Sequence, residues 1–258
     1  YDPGHPLGPE GGFGIVFEGY SESHGTIAVK RLKIEAQEAA HRELRLAEEL
    51  SGQSFQHVIP ILDSGQDAES DSYYIVMPRA TKSLQDEISA GVIYSDADCA
   101  KILLEITAGL EEVPSIVHRD LKPANILLHE RKWKIADFGI ARFVEDTTSL
   151  RTLKGCLSPP YAAPEQWREE RSTHATDLYA LGCIAYCLLT GSPPFTGPNY
   201  REQHLHEKPP GLNGHSDRLR SLVSMLLRKS SESRPGLDRV CNILNEIAAG
   251  HTSTHGPG

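Results

Sequence analysis

The apolar residues change their period part-way along the chain, and that change constrains the fold more than any other feature. Up to about residue 77 they come mostly in short β-type runs: Ile15-Val16-Phe17, Thr26 to Val29, Val58 to Leu62 and Tyr73 to Met77. One interruption has helical spacing, with Ala36, Ala40, Leu44, Ala47 and Leu50 recurring at three or four residues. After Pro78 helical spacing dominates. Ala100, Leu103, Leu104, Thr107 and Leu110 make one stripe, closed by Pro114, and Leu178 to Leu189 is apolar almost all round, as a buried central helix requires. Between these lie two hairpin-like runs, Ile126-Leu127-Leu128 and Trp133-Lys134-Ile135. The pattern predicts an α+β chain with a small first lobe of five antiparallel strands plus one helix, then a large, mainly helical lobe.

The 258 residues suffice for two lobes around a cleft, and 39 % hydrophobic side chains can fill their cores. Twenty-six Lys and Arg against thirty-five Asp and Glu leave a net charge of -9, which speaks against nucleic acid as the partner. The twelve or so residues from Leu178 to Leu189 are too few to cross a bilayer. No signal sequence opens the chain, which begins at Tyr1 rather than Met. The five cysteines, Cys99, Cys156, Cys183, Cys187 and Cys241, contain no C-x-x-C pair. Cys183 and Cys187 share a helical face, but no histidine or further cysteine follows at zinc-site spacing. Reduced, mostly buried thiols in a cytoplasmic compartment are expected. Residues 251–258 offer nothing to pack and are expected to be a disordered tail.

Chemistry concentrates in His118 to Leu127, read HRDLKPANIL. Asp120 can orient an attacking hydroxyl and accept its proton, Lys122 can offset charge on a moving phosphoryl group, and Asn125 can ligate a hard cation. Seventeen residues past Asp120 comes Asp137-Phe138-Gly139, directly after Ile135-Ala136. A carboxylate leaving the end of a short strand there can reach cation-bridged phosphates. Near the start, Gly11-Gly12-Phe13-Gly14 sits between predicted strands, and glycines let backbone N–H groups approach phosphate oxygens. No Gly-Lys-Ser/Thr follows and no helix opens there, so it is neither a Walker loop nor a dinucleotide fingerprint. Lys30 ends the strand beneath that hairpin. Glu43, on the inner edge of the predicted helix, is the carboxylate expected to hold its ammonium.

Taken together, these segments resemble the protein kinase superfamily, specifically Ser/Thr kinases including the eukaryotic-like ones of bacteria. The resemblance runs from about Leu7 to Ile247 and adds Ala28-Val29-Lys30, Ala163-Pro164-Glu165, Asp177 to Gly182 and Arg234-Pro235. It implies one catalytic domain over 1–250, with an N-lobe at 1–77, a hinge at 78–80 and a C-lobe at 81–250. It implies ATP with Mg²⁺, or Mn²⁺, and transfer of the γ-phosphoryl group to Ser or Thr hydroxyls of proteins. Carried over residue by residue, Asp120 is the catalytic aspartate, Lys122 meets the γ-phosphoryl group, Lys30 holds the α and β phosphates, and Asn125 and Asp137 bind metal. Gly11, Gly12, Phe13 and Gly14 cover the phosphates. Val16, Ala28 and Leu127 sandwich the purine, with Met77 at the back of its pocket and Pro78 and Ala80 on the hinge. Ser158 belongs to the substrate pocket, Glu165 and Arg234 form a structural ion pair, and Asp177 holds the catalytic loop from below. Thr147, Thr148, Ser149 and Thr152 are candidate autophosphorylation sites that could pair with Arg119, with trans-phosphorylation in a homodimer as one route.

The sequence departs from the family pattern in places. Pro9 stands where the first glycine of the loop is expected, with Gly8 one residue too early, and two additional residues separate Gly155 from Tyr161. Two rivals remain at this point. A pseudokinase scaffold would usually have lost Lys30, Asp120, Asn125 or Asp137. A small-molecule phosphotransferase would lack the peptide-docking segment that ends in Ala-Pro-Glu.

Overall fold

A computed structural model describes residues 6–7, 14–32, 48–67, 72–137, 142–143 and 157–250. Strands β1 (Gly14–Ser21) and β2 (Gly25–Leu32) form an antiparallel hairpin in register from Gly14↔Leu32 to Ser21↔Gly25. With β3 (Asp63–Asp67) and β4 (Ser72–Pro78) they make a four-stranded antiparallel sheet ordered β1-β2-β4-β3. The chain from Pro6 adds one bridge to Phe17, and Leu7 donates its N–H to Val16 O at 2.8 Å. Among the described residues the sheet therefore has four strands where five were expected.

Val58 to Leu62, expected as a strand, is not one. Val58 makes a single parallel bridge to Ile135, and the third strand begins at Asp63, in a stretch with turn-like composition. The physical reason lies in what the run packs against. Val58 and Ile59 are buried, and Ile59 N–H bonds to Ile135 O across the lobes rather than to the sheet. Of the helix expected over Ala36 to Leu50, residues 48–50 are helical and the remainder lies outside the described residues.

Beyond Pro78 come β5 (Lys82–Ser83), the short helix α1 (Leu84–Ser89) and α2 (Asp96–Glu112). Each helix starts on a serine whose hydroxyl accepts a backbone N–H: Ser83 from Asp86 and Ser95 from Asp98. Of the α2 stripe, Ala100, Leu103, Thr107 and Leu110 are buried as expected, and Leu104 is half-buried. The expected hairpin appears as β7 (Ile126–His129) and β8 (Lys132–Ile135), joined through Glu130 and Arg131, which both have positive φ as a tight hairpin turn demands. Strand β6 (Ile116–Val117) pairs with β9 (Arg142–Phe143). Four further elements carry the rest: α3 (Pro164–Trp167), α4 (His174–Thr190), α5 (Tyr200–His206) and α6 (Asp217–Leu226). The last helix, α7 (Leu237–Ala248), packs along α2.

Helix α4 is the axis of the larger core. Every residue from Thr176 to Leu189 is buried, and Leu178, Leu181, Ile184 and Leu188 join α2 and α6 side chains in one cluster. Cys99, Cys183 and Cys187 lie in that interior as free thiols, and burial raises the pKa of each. Among the described residues no helix is long and apolar enough to cross a membrane.

Candidate active site

Between the four-stranded sheet and the helical part, a crevice collects part of the side chains singled out above. Ala28 and Met77 face each other across the β2–β4 ladder and share an apolar cluster with Ile75 and Ala136, against which Leu7, Val16 and Leu127 pack. These side chains come from both sides of the crevice, so they can close on a flat ring from above and below. Leu7 did not stand out in the sequence. Its position at the start of a glycine-rich stretch was the available signal.

Where β4 leaves the sheet, Pro78 remains paired with Ile27, and the carbonyl of Ala80 accepts from Arg79 Nη1 at 2.9 Å. The same guanidinium reaches Glu18 on β1 through Nε at 3.2 Å. Arg79 thus ties the sheet to the segment that leaves it, which sequence reasoning missed.

At the inner end of the crevice, Lys30 is 4 % exposed, and its Nζ lies 2.6 Å from Asp137 Oδ1. Burial works against ionisation of Asp137, but the Lys30 ammonium outweighs it, with help from Lys122 and His118, and holds the carboxyl below the usual carboxylate range. Asp137 has φ +63°, a left-handed backbone unusual for a side chain other than glycine. Glu43, expected as the partner of Lys30, lies outside the described residues, as do Gly11, Gly12, Phe13, Phe138 and Gly139.

Asp120 is buried in the loop between β6 and β7. Its Oδ1 accepts from the Ser158 hydroxyl at 2.6 Å and its Oδ2 from Lys122 Nζ at 2.7 Å. Lys122 Nζ also donates to Ser158 Oγ at 2.9 Å, which closes a three-membered ring of carboxylate, ammonium and hydroxyl. Asn125 directs Nδ2 to the Asp120 carbonyl at 2.9 Å, which leaves its amide oxygen facing away from that bond. An amide oxygen and a carboxylate are hard donors suited to a small divalent cation, so the residues present fit a metal–phosphate complex.

The loop is held from beneath. Asp177 on α4 accepts the N–H of His118 at 2.9 Å and of Arg119 at 2.8 Å. Burial pushes the Asp177 carboxyl up, against the pull of His118 and those two donors. The Arg119 carbonyl takes Gln166 Nε2 at 2.8 Å. His118 accepts from Asp120 N–H through Nδ1 and so offers Nε2–H to Ala136 O at 3.1 Å, tying the loop to the chain between β8 and Asp137.

Glu165 and Arg234 meet as a buried, two-pronged pair with contacts of 2.7 and 2.8 Å. Thr176 donates to Glu165 as well, and Arg234 donates to the carbonyls of Ala175 and Arg228. Burial opposes ionisation of Glu165, but Arg234 holds its carboxyl below the usual range. Thr147, Thr148, Ser149, Thr152 and Cys156 lie outside the described residues, as does the 251–258 tail.

The whole arrangement coincides with one family. The protein kinase domain model matches residues 1–244. The chain belongs to the protein kinase family. It is similar to a probable serine/threonine-protein kinase PknB of Corynebacterium glutamicum, 35 % identical over 71 % of this chain and 30 % of that protein. A probable serine/threonine-protein kinase of Corynebacterium efficiens is 34 % identical over 81 % of the chain and 34 % of its own length. The serine/threonine-protein kinase PrkC of Bacillus subtilis is 31 % identical over 81 % and 34 %. This kinase chain therefore spans about a third of the curated relatives it matches. Kinases of this family use ATP with a divalent cation, and the two-lobed fold described above is theirs.

Proposed function

We propose that the chain is a serine/threonine protein kinase that transfers the γ-phosphoryl group of ATP to hydroxyls of protein substrates, with Mg²⁺ as the working cation and Mn²⁺ as a substitute. The observation that carries this reading is the environment of Asp120. A buried carboxylate receives a serine hydroxyl at 2.6 Å while an ammonium 2.7 Å away touches both. A substrate alcohol presented to the same carboxylate would be oriented and relieved of its proton. Lys122 would neutralise the phosphoryl group as it moves. Lys30 would hold the triphosphate, and Asn125 with Asp137 would hold the cation, which supplies charge neutralisation between phosphates. Val16, Ala28, Leu127 and Met77 would enclose the adenine, with Leu7 as a further wall, and the segment 78–80 would be the hinge that its amine meets. Ser158 would belong to the pocket that positions the acceptor.

The test is intact-mass and peptide mass spectrometry after incubation with MgATP and a mixed protein substrate. Wild type should place phosphate on Ser or Thr, and Asp120→Asn and Asp137→Asn should reduce incorporation by at least about a hundredfold. Absence of transfer under varied metal and substrate would favour a scaffold, and phosphate found only on a metabolite would favour a small-molecule phosphotransferase. The peptides spanning Thr147 to Thr152 report autophosphorylation in the same run. Its dependence on protein concentration separates transfer within one chain from transfer between two.

A further inference from the structure

At the foot of the helical part lies a cleft of about 410 Å³ that shares no residue with the crevice described above. The end of α2 and Pro114 form one wall, the first turns of α4 a second, and Pro235 to Leu237 the third. Leu110, Pro114, Leu178 and Leu237 make the lining mainly apolar. That size, and an apolar surface with few polar groups, are the attributes of a small-molecule site.

The polar groups around the cleft are unequally occupied. Arg234 donates through all three guanidinium nitrogens, to Glu165 and to the carbonyls of Ala175, Arg228 and Lys229. His174 has Nε2 on the Pro114 carbonyl at 3.1 Å. Glu111 is exposed, and its Oε1 accepts from the weak thiol donor of Cys241 at 3.6 Å. A solvent-exposed carboxylate among the residues lining a mainly apolar cleft, on a chain of net charge -9, selects a cation with an apolar body.

We propose that this cleft binds a small aromatic amine, its ring against Leu110, Leu178 and Leu237 and its ammonium on Glu111. The site is separate from the nucleotide crevice, and binding does not depend on phosphoryl transfer.

Gly236 provides the means of testing this. It precedes α7 with φ −70°, and a Cβ built there meets nothing within 4 Å, so a large side chain can be added at this wall of the cleft without backbone strain. Tryptamine, titrated into the chain and followed by ¹H–¹⁵N NMR, should bind saturably at one site, with shifts centred on Leu110, Leu178 and Leu237. Gly236→Phe should abolish this binding, and Glu111→Gln should weaken it roughly tenfold. Indole, which lacks the ammonium, should bind wild type and Glu111→Gln alike. Saturating ADP should leave tryptamine bound. The proposal fails if tryptamine does not saturate, if ADP displaces it, or if Gly236→Phe binds as wild type does. Should Gly236→Phe prove unfolded by circular dichroism, the Glu111→Gln titration decides instead, because unchanged affinity there removes the charge that defines the ligand.

Discussion

Asp177 touches no group in the crevice, yet the shape of the catalytic loop rests on it. Arg119 has φ +70°, a conformation that costs a non-glycine residue about 1–3 kcal/mol. The loop keeps it because one buried carboxylate accepts the N–H groups of both His118 and Arg119. Replacing Asp177 by Asn preserves volume but turns an NH₂ group towards one of those donors. One buried N–H then loses its acceptor, so Asp177→Asn should lose about 1–3 kcal/mol in urea unfolding and lower phosphate incorporation, without abolishing nucleotide binding. An unchanged unfolding midpoint would show that the loop keeps its shape by other means. The sequence made the polar members of this site legible because Asp120, Lys122 and Asn125 are unlike residues within six positions, and Asp137 follows in a second motif seventeen residues on. Arg79 and Leu7 were not legible. Their roles come from a strand crossing and a single backbone bridge, which local composition does not encode.

Elements were readable where periodicity had one cause. The all-apolar face of α4 and the stripe of α2 follow from burial alone, and both helices stand where expected. Val58 to Leu62 misled because burial between lobes leaves the same apolar signature as a strand in a sheet. The short helix α3 is anchored by Glu165 on Arg234, and removing one partner of a buried pair strands the other's charge. Arg234→Ala should therefore cost about 3–5 kcal/mol, whereas replacing both by Leu and Met should cost much less, as paired urea melts would reveal. Helix α5 carries a feature with no sequence signal. His204 is fully buried among Trp167, Tyr179, Phe195 and Tyr200, and its Nδ1 meets the Tyr179 hydroxyl at 2.9 Å. Burial, reinforced by Lys229, lowers its pKa to about 3. The unfolded chain binds that proton near pH 6.5, so between about 6.5 and 3 acid favours unfolding and the contribution vanishes above that window. His204→Phe should flatten this limb of the stability–pH curve. An acid limb as steep as that of wild type would assign it to other groups.

At the scale of the whole molecule, the two parts of the fold are joined along a seam at residues 56–59 as well as at the strand crossing. Glu112, at the end of α2, accepts the N–H groups of Gln56 and His57, one on each oxygen, at 2.9 and 3.0 Å. Ile135 N–H then bonds to His57 O at 2.8 Å, and Ile59 N–H to Ile135 O at 2.9 Å. The segment can lie this close to α2 because Gly109 has no side chain. A Cβ there would stand 2.6 Å from His57 O and 3.0 Å from Ile135 Cδ1. The first neighbour is backbone and cannot swing aside, so Gly109→Ala must push the seam apart even though alanine suits a helix better than glycine. Overpacking of this kind costs about 1–3 kcal/mol. In a domain of this size each kcal/mol lowers the melting temperature by about 2–4 °C. The displacement also has a direction. Ile135 is two residues from Asp137, so a seam forced open moves that carboxylate relative to Lys30 and should raise the KM for ATP more than it lowers kcat. Glu112→Ala loosens the same seam without adding atoms and should reduce stability with a smaller change in KM. If Gly109→Ala instead melts and binds ATP as wild type does, helix α2 yields at that turn, and the lobes are joined less rigidly than these contacts imply.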